Sequence, residues 1–462
     1  MRRPDVALVL APIWGVNRPP LGLASLSTFL RHQGLRVRVW DLNLRAFFAA
    51  RDAGQDGLWN IGTARDADPL ERYLRLEPLL GPLLDRAADD VLCCGAPVIG
   101  LFTCCTNRPF VQRLVDRLRQ RCSPRLLVLG GPEVRDMVLD RRQGVMDVDY
   151  LVPGEGEETL LELSRRYLGG GPLGHVPGAV AGPHLTCRTE LAPALQGFVP
   201  RPPPRRLDRR PWPTYEEFNL QRYQTDELPF LFSRGCTGRC VFCADRLLQE
   251  GFRCRSAEHA AAELLHHYHR HGARVFTFND LICNGDPGQL RRLCRLVADL
   301  RLDLAWSSYA MISPDLDRPT LERMLRSGCF DLHLGLESGA DRVLRQMHKP
   351  YTVDQAIRVL RDATEVGVRT GVNLIVGFLG ETRDDFLCTL TFLRDNRPMI
   401  HKLLNLSTPT AFVGTALAAR PRDDLVPADE CRRRVDEVVQ LAEEIQLPVE
   451  IINHGDAYQP SL

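Results

Sequence analysis

Twice along this chain, short β-branched runs alternate with amphipathic helical patterns, a rhythm that leaves few architectures besides parallel sheets covered by helices. The first series has candidate strands at Val6–Ala11, Val37–Leu42, Val98–Thr103, Leu126–Leu129 and Tyr150–Val152. Between the first two, Pro19-Pro20 opens a helix that turns Leu23, Leu26, Phe29 and Leu30 inward and stops at Gly34. In the insertion 43–90, Asp68 reads as an N-cap, with Pro69 and Glu71 completing the helix start. The second series places strands near Phe230–Ser233, Val275–Asn279, Leu304–Ser308, Leu332–Leu336, Val372–Gly377 and Leu403–Ser407. Between the two series, seven prolines from Pro193 to Pro213 exclude any regular element. The chain is therefore expected to be α/β throughout. A Rossmann-like doubly wound sheet fills 1–190, a proline-rich linker 191–227, a partial (β/α)6 TIM-like barrel 228–415 and a helical segment, with a helix near Pro427–Gln446, 416–462.

Composition narrows the function classes. Basic and acidic residues number 59 and 58, for a net charge of +1, so no global field recruits nucleic acid, and none is expected as a partner. Lys349 and Lys402 are the only lysines. No apolar run approaches the ~18 residues of a membrane span, and the run Val6 to Pro12 is too short for a secretory core. Fifteen cysteines, an odd number, fit a reducing cytoplasmic compartment better than a disulfide framework.

Cys236, Cys240 and Cys243 fall within eight residues, on a glycine-containing loop that follows the first strand of the second series. Three thiolates so spaced can wrap one metal centre. Tetrahedral zinc calls for a fourth ligand, and the nearest, Cys254, lies eleven residues past Cys243. An iron–sulfur cube held by three cysteines instead leaves one iron open.

The spacing Cys-x3-Cys-x2-Cys, with an aromatic before the last cysteine, resembles the hallmark of the radical S-adenosylmethionine (SAM) superfamily. The resemblance implies that Cys236, Cys240 and Cys243 hold a [4Fe-4S] cluster whose open iron chelates SAM, and that reductive cleavage yields a 5′-deoxyadenosyl radical. It implies a reducing partner such as flavodoxin or ferredoxin, and it places Phe242 near the adenine. Asp280 ends the second strand where relatives bind the methionine amino group. Glu337 and Ser338 match the family's Glu-Ser-Gly segment, and Ile375 and Gly377 its adenine-side motif, from which Leu379 departs where many relatives carry proline.

The N-terminal series resembles the cobalamin-binding domain that precedes one large radical SAM subfamily, through Pro19–Leu23, Leu129–Glu133 and Val152–Thr159. The resemblance implies a corrin across the carboxyl ends of the strands, near Leu21, Gly22, Thr103, Gly130, Gly131 and Gly154. His32 is the only histidine before residue 175 and sits on an amphipathic helix, so no protein imidazole is expected on cobalt. The pairing implies cobalamin-dependent methylation of an unactivated carbon on a small-molecule, lipid or peptide substrate; a radical cyclisation, rearrangement or oxidation is the alternative.

Two further patterns are expected to be structural. His266, His267, His269 and His271 end one helix and are expected to face solvent and its negative pole. Cys93-Cys94 and Cys104-Cys105 read as core or surface thiols.

Overall fold

The computed structural model describes residues 3–59, 69–121, 125–139, 146–185, 199–249, 251–420 and 426–453. Asp68, read above as an N-cap, lies outside them.

The first sheet contains β1 (Val6–Leu10), β2 (Val37–Asp41), β3 (Val98–Phe102), β4 (Leu126–Gly130), β5 (Tyr150–Val152) and β6 (Val180–Ala181), in the order β2-β1-β3-β4-β5-β6. All pairs are parallel except β5–β6. Its central strands are continuous apolar runs because helices cover both faces; β1 is buried along its whole length. The order reverses between β1 and β3. That switch point opens a crevice at the carboxyl ends of the strands, where doubly wound sheets bind their ligands.

The chain then forms β7 (Glu227–Phe230), a small antiparallel pair β8 (Ser233–Arg234) and β9 (Arg253–Cys254), and β10 (Val275–Phe278), β11 (Ala305–Ala310), β12 (Cys329–Glu337), β13 (Arg369–Ile375), β14 (Lys402–Ser407) and β15 (Ile452–Asn453). Except for β8 and β9 these make one parallel sheet ordered β15-β14-β13-β12-β11-β10-β7, open between its edges. It is a partial barrel, with seven strands where six were expected, because the C-terminal segment returns to add β15 beside β14. β7 begins three residues before its expected start. Pro229 looks like a breaker in sequence, yet β7 is an edge strand, where a missing N–H donor is tolerated.

Strand alternation gives the barrel two faces. Leu332, Leu334 and Leu336 of β12 are fully buried on the helix-covered side. Asp331, His333, Gly335 and Glu337 therefore line the concave side. The two lysines reach this concave side: Gly335 leaves space beside Lys349 Nζ, and Gly371 beside the Lys402 stem.

Candidate active site

After β7 the chain turns sharply at Phe232–Ser233. Asp280, just past β10, fixes this turn: its carboxylate accepts the Phe232 amide at 3.1 Å, the Ser233 hydroxyl at 2.5 Å and the Ser233 amide. Burial pushes the Asp280 carboxyl up to about 7, against the pull of these donors. Gly235, at φ +80°, follows; any Cβ there would collide with the Gly251 carbonyl.

The cysteine loop begins one residue later. The Gly238 amide donates to Cys236 Sγ at 3.2 Å, and a Cβ on Gly238 would come within 3.3 Å of that sulfur and 3.7 Å of Cys240 Sγ. Glycine therefore keeps the thiol side of the loop clear. Burial raises all three thiols above their ordinary pKa, while the Lys349 charge favours thiolate at Cys236 and Cys240. Cys254 does not join them, since its Sγ lies 3.9 Å from Asp286 Oδ2. Among the described residues no three His, Cys, Asp or Glu side chains gather around one ion. Three partly buried soft donors without a fourth suit an iron–sulfur cluster with one open iron better than a closed zinc site.

Opposite this loop, Glu337 ends β12 with φ +63°, a conformation costly for a side chain with a Cβ. It accepts from Lys349 Nζ at 2.8 Å, and both side chains are about nine-tenths buried. Lys349 also donates to the Gly335 carbonyl at 3.3 Å and lies 5.4 Å from the Phe242 ring centroid. Tyr351 locks the same turn by donating to the carbonyls of Gly335 and Leu336. Phe242 meets Phe378 edge to face at 6.2 Å, and Val241, Ile375, Phe378 and Leu379 share one apolar cluster. Leu379, where proline was noted in relatives, is thus a core residue of this site.

The expected SAM residues divide into two groups. Phe242, Glu337, Ile375 and the Gly377 turn converge beside the cysteine loop. Ser338 turns away and lies 3.3 Å from Thr389 Oγ1 beneath the mouth, and Asp280 is committed to the Phe232–Ser233 turn. Lys349, and Arg434 described below, escaped the sequence reading because each meets its carboxylate only through the fold.

In the first sheet, Leu21 and Gly22 start the helix Leu21–His32, Thr103 follows β3, Gly130 and Gly131 end β4, and Gly154 follows β5. All of them lie at the carboxyl edge. Gly131 is required by its neighbour, because a Cβ there would collide with the Thr103 carbonyl. Thr103 Oγ1 is buried without a hydrogen-bond partner, and Pro20 caps the helix start with no side-chain acceptor, so this edge offers unused polar groups to a ligand. His32 is in the last turn of its helix, exposed and away from that edge.

The crevice edge packs against the barrel. Arg234, next to the cysteine loop, binds Glu155 at 2.7 Å and Glu157 at 2.6 Å, and Arg253 binds Glu155 at 2.5 Å. Arg135, from the helix after β4, donates to the Ala244 carbonyl at 2.8 Å. Arg18 pairs with Glu227 of β7 at 3.1 Å.

The histidine expectation needs correction. His267 is fully buried, 3.4 Å from Glu263, and Glu263 is also paired with Arg255, because this helix face packs on Tyr215 rather than on solvent. His266 and His269 are exposed. Cys104 is buried, whereas Cys93 and Cys105 are exposed.

A three-cysteine loop at the mouth of a partial barrel, preceded by a doubly wound sheet, defines a class. Residues 230–393 match the radical SAM superfamily, and the chain carries a radical SAM domain. An uncharacterised methyltransferase of Pyrococcus horikoshii is 28% identical over 85% of this chain and 78% of its own length. Cytidylyl-2-hydroxyethylphosphonate methyltransferase of Streptomyces wedmorensis is 22% identical over 78% of this chain and 68% of its own length. The fold matches TsrM of Kitasatospora setae, a radical SAM methyltransferase solved with cobalamin and a [4Fe-4S] cluster, with a TM-score of 0.64, 18% identity and coverage of 87% of this chain and 74% of that one. No helix among the described residues is long and apolar enough to cross a membrane.

Proposed function

We propose that this protein is a cobalamin-dependent radical SAM methyltransferase that methylates an unactivated carbon. The observation that carries the reading is the docking of the Rossmann-like carboxyl edge, through Glu155, Glu157 and Arg135, directly onto the loop that bears Cys236, Cys240 and Cys243. Those cysteines would hold the [4Fe-4S] cluster. When bound, the cluster, reduced by a flavodoxin or ferredoxin, and SAM would supply a hydrogen-abstracting radical, and cobalamin would supply the methyl group.

The protein's own residues orient these groups and keep water out. Glu337, held by Lys349, would offer its carboxylate to SAM, while Phe242, Ile375 and the Gly377 turn would enclose the adenine. Asp280 positions the cysteine loop through Ser233 rather than touching SAM. Thr103, Gly130, Gly131 and Gly154, with the Leu21–Gly22 helix start, receive the corrin.

Reconstitution with hydroxocobalamin tests the reading. The cob(II)alamin paramagnetic resonance spectrum is expected to lack protein imidazole coupling, with binding unchanged in His32→Ala. Failure of the anaerobically reconstituted protein to bind corrin would withdraw methyl transfer and leave a radical cyclisation, rearrangement or oxidation.

A further inference from the structure

The chain as a whole carries almost no net charge, so a local excess of one sign carries information. Such an excess lies on the outside of the cysteine loop. Thr237 and Arg239, between the first two cysteines, are exposed, and so is Arg246, just past the third. From Cys236 to Gln249 the only acidic residue is Asp245.

Two backbone hydrogen bonds bring further segments to this surface. The Val241 amide donates to the Met347 carbonyl at 3.1 Å, and the Val241 carbonyl accepts the Leu417 amide at 2.9 Å. The first bond sets the helix Asp341–Gln346, with its exposed Arg345, beside the loop. On that helix Asp341 accepts the Val353 amide at 2.8 Å and Arg342 is paired with Asp385, so Arg345 is the spare charge. Arg135, Arg234 and Arg253, which face the first sheet, all have carboxylate partners. Among the described residues Arg239, Arg246 and Arg345 have none.

The second bond brings up an apolar neighbour. A Cβ on Gly414 would stand 3.3 Å from Leu247 Cδ1 and 3.3 Å from Leu139 Cδ1, and Leu247, Leu139 and Phe412 are all exposed. Protein interfaces join an apolar centre to a polar, charged surround, and a cationic surround steers an acidic partner. Electron transfer weakens steeply with distance. A protein that delivers an electron must therefore dock where the ligand loop itself reaches the surface, and Thr237 and Arg239 are that place.

We infer that the face formed by Arg239, Arg246 and Arg345 around Leu247 and Phe412 is the docking surface for the reductant, an acidic one-electron carrier protein. The inference rests on the radical enzyme reading above and gives its reducing partner a place on the molecule. In the complex the carrier loses one electron and the bound cluster gains it; no bond forms or breaks.

The test reads 5′-deoxyadenosine from the cluster-loaded protein with two reductants. Reduced flavodoxin, an acidic protein, has to dock, whereas dithionite does not. The flavodoxin-driven rate of the wild type is expected to fall as added salt screens the attraction. In the Arg246→Glu, Arg345→Glu double variant it should fall about tenfold at limiting flavodoxin, with the dithionite-driven rate unchanged. A wild-type rate with flavodoxin that ignores salt, a wild type that flavodoxin cannot drive although dithionite does, or a double variant as fast as wild type with flavodoxin would each overturn the inference. If the double variant is slow with both reductants, the salt response of the wild type decides alone. No product from the wild type with dithionite would refute the radical reading, an outcome distinct from these.

Discussion

Lys349 is the side chain on which the buried turn at Glu337 depends. Replacing it with Met leaves the buried Glu337 carboxylate unpaired, a change that costs about 3–5 kcal/mol in comparable buried pairs. Lys349→Met is therefore expected to lower thermal stability and weaken SAM binding in calorimetry, with iron content less affected; unchanged SAM affinity would remove the pair from the site. Asp280 predicts the opposite pattern. Asp280→Ala strips the Phe232 and Ser233 amides of their acceptor, so iron incorporation should fall first, whereas a SAM contact would show as lost affinity at full iron loading. These residues differ in how openly the sequence displayed them. The cysteine triad is local, within eight residues, and legible at once. Glu337 meets Lys349 only because β12 and the following turn fold back, and the sole hint was that lysine is nearly absent from an arginine-rich chain.

At the scale of elements, the C-terminal helix Ala428–Glu444 buttresses the Gly377 turn rather than standing apart from it. Arg434 donates to Glu381 Oε2 at 2.7 Å, and the same oxygen accepts the Gly377 amide at 2.6 Å. Gly377 has φ +78°, and a Cβ there would strike Cys431 Sγ. Gly377→Ala should cost about 1–3 kcal/mol in backbone strain alone and raise the KM for SAM; a variant with wild-type melting and kinetics would refute the buttress. Strands buried on both faces, such as β1 and β3, announced themselves as apolar runs. β15 did not, because two residues carry no periodicity, and the buttressing helix shows only its amphipathic pattern, which says that it packs but not on what.

At the scale of the whole molecule, the two sheets share one apolar cluster and are also joined by charge. Glu157 is raised by burial, but the stronger opposing pull of Arg234 and Arg210 brings it down to about 2 from an ordinary 4.5. Its folded pKa lies below its unfolded one, so its stabilisation is full above about pH 4.5 and is lost as the pH falls toward 2. Acid should therefore loosen the docking of the two units, seen as growth of the radius of gyration in small-angle scattering, and Glu157→Gln should flatten that dependence; an identical acid profile in the variant would place the contact elsewhere. The central claim is that the loop at the barrel mouth makes this protein a SAM-cleaving iron–sulfur enzyme. Its most direct measurement is 5′-deoxyadenosine formed under anaerobic reducing conditions by the reconstituted wild type and by the Cys236→Ala, Cys240→Ala, Cys243→Ala triple variant. The account predicts product and iron–sulfur absorbance in the first and neither in the second; product from the triple variant would contradict it.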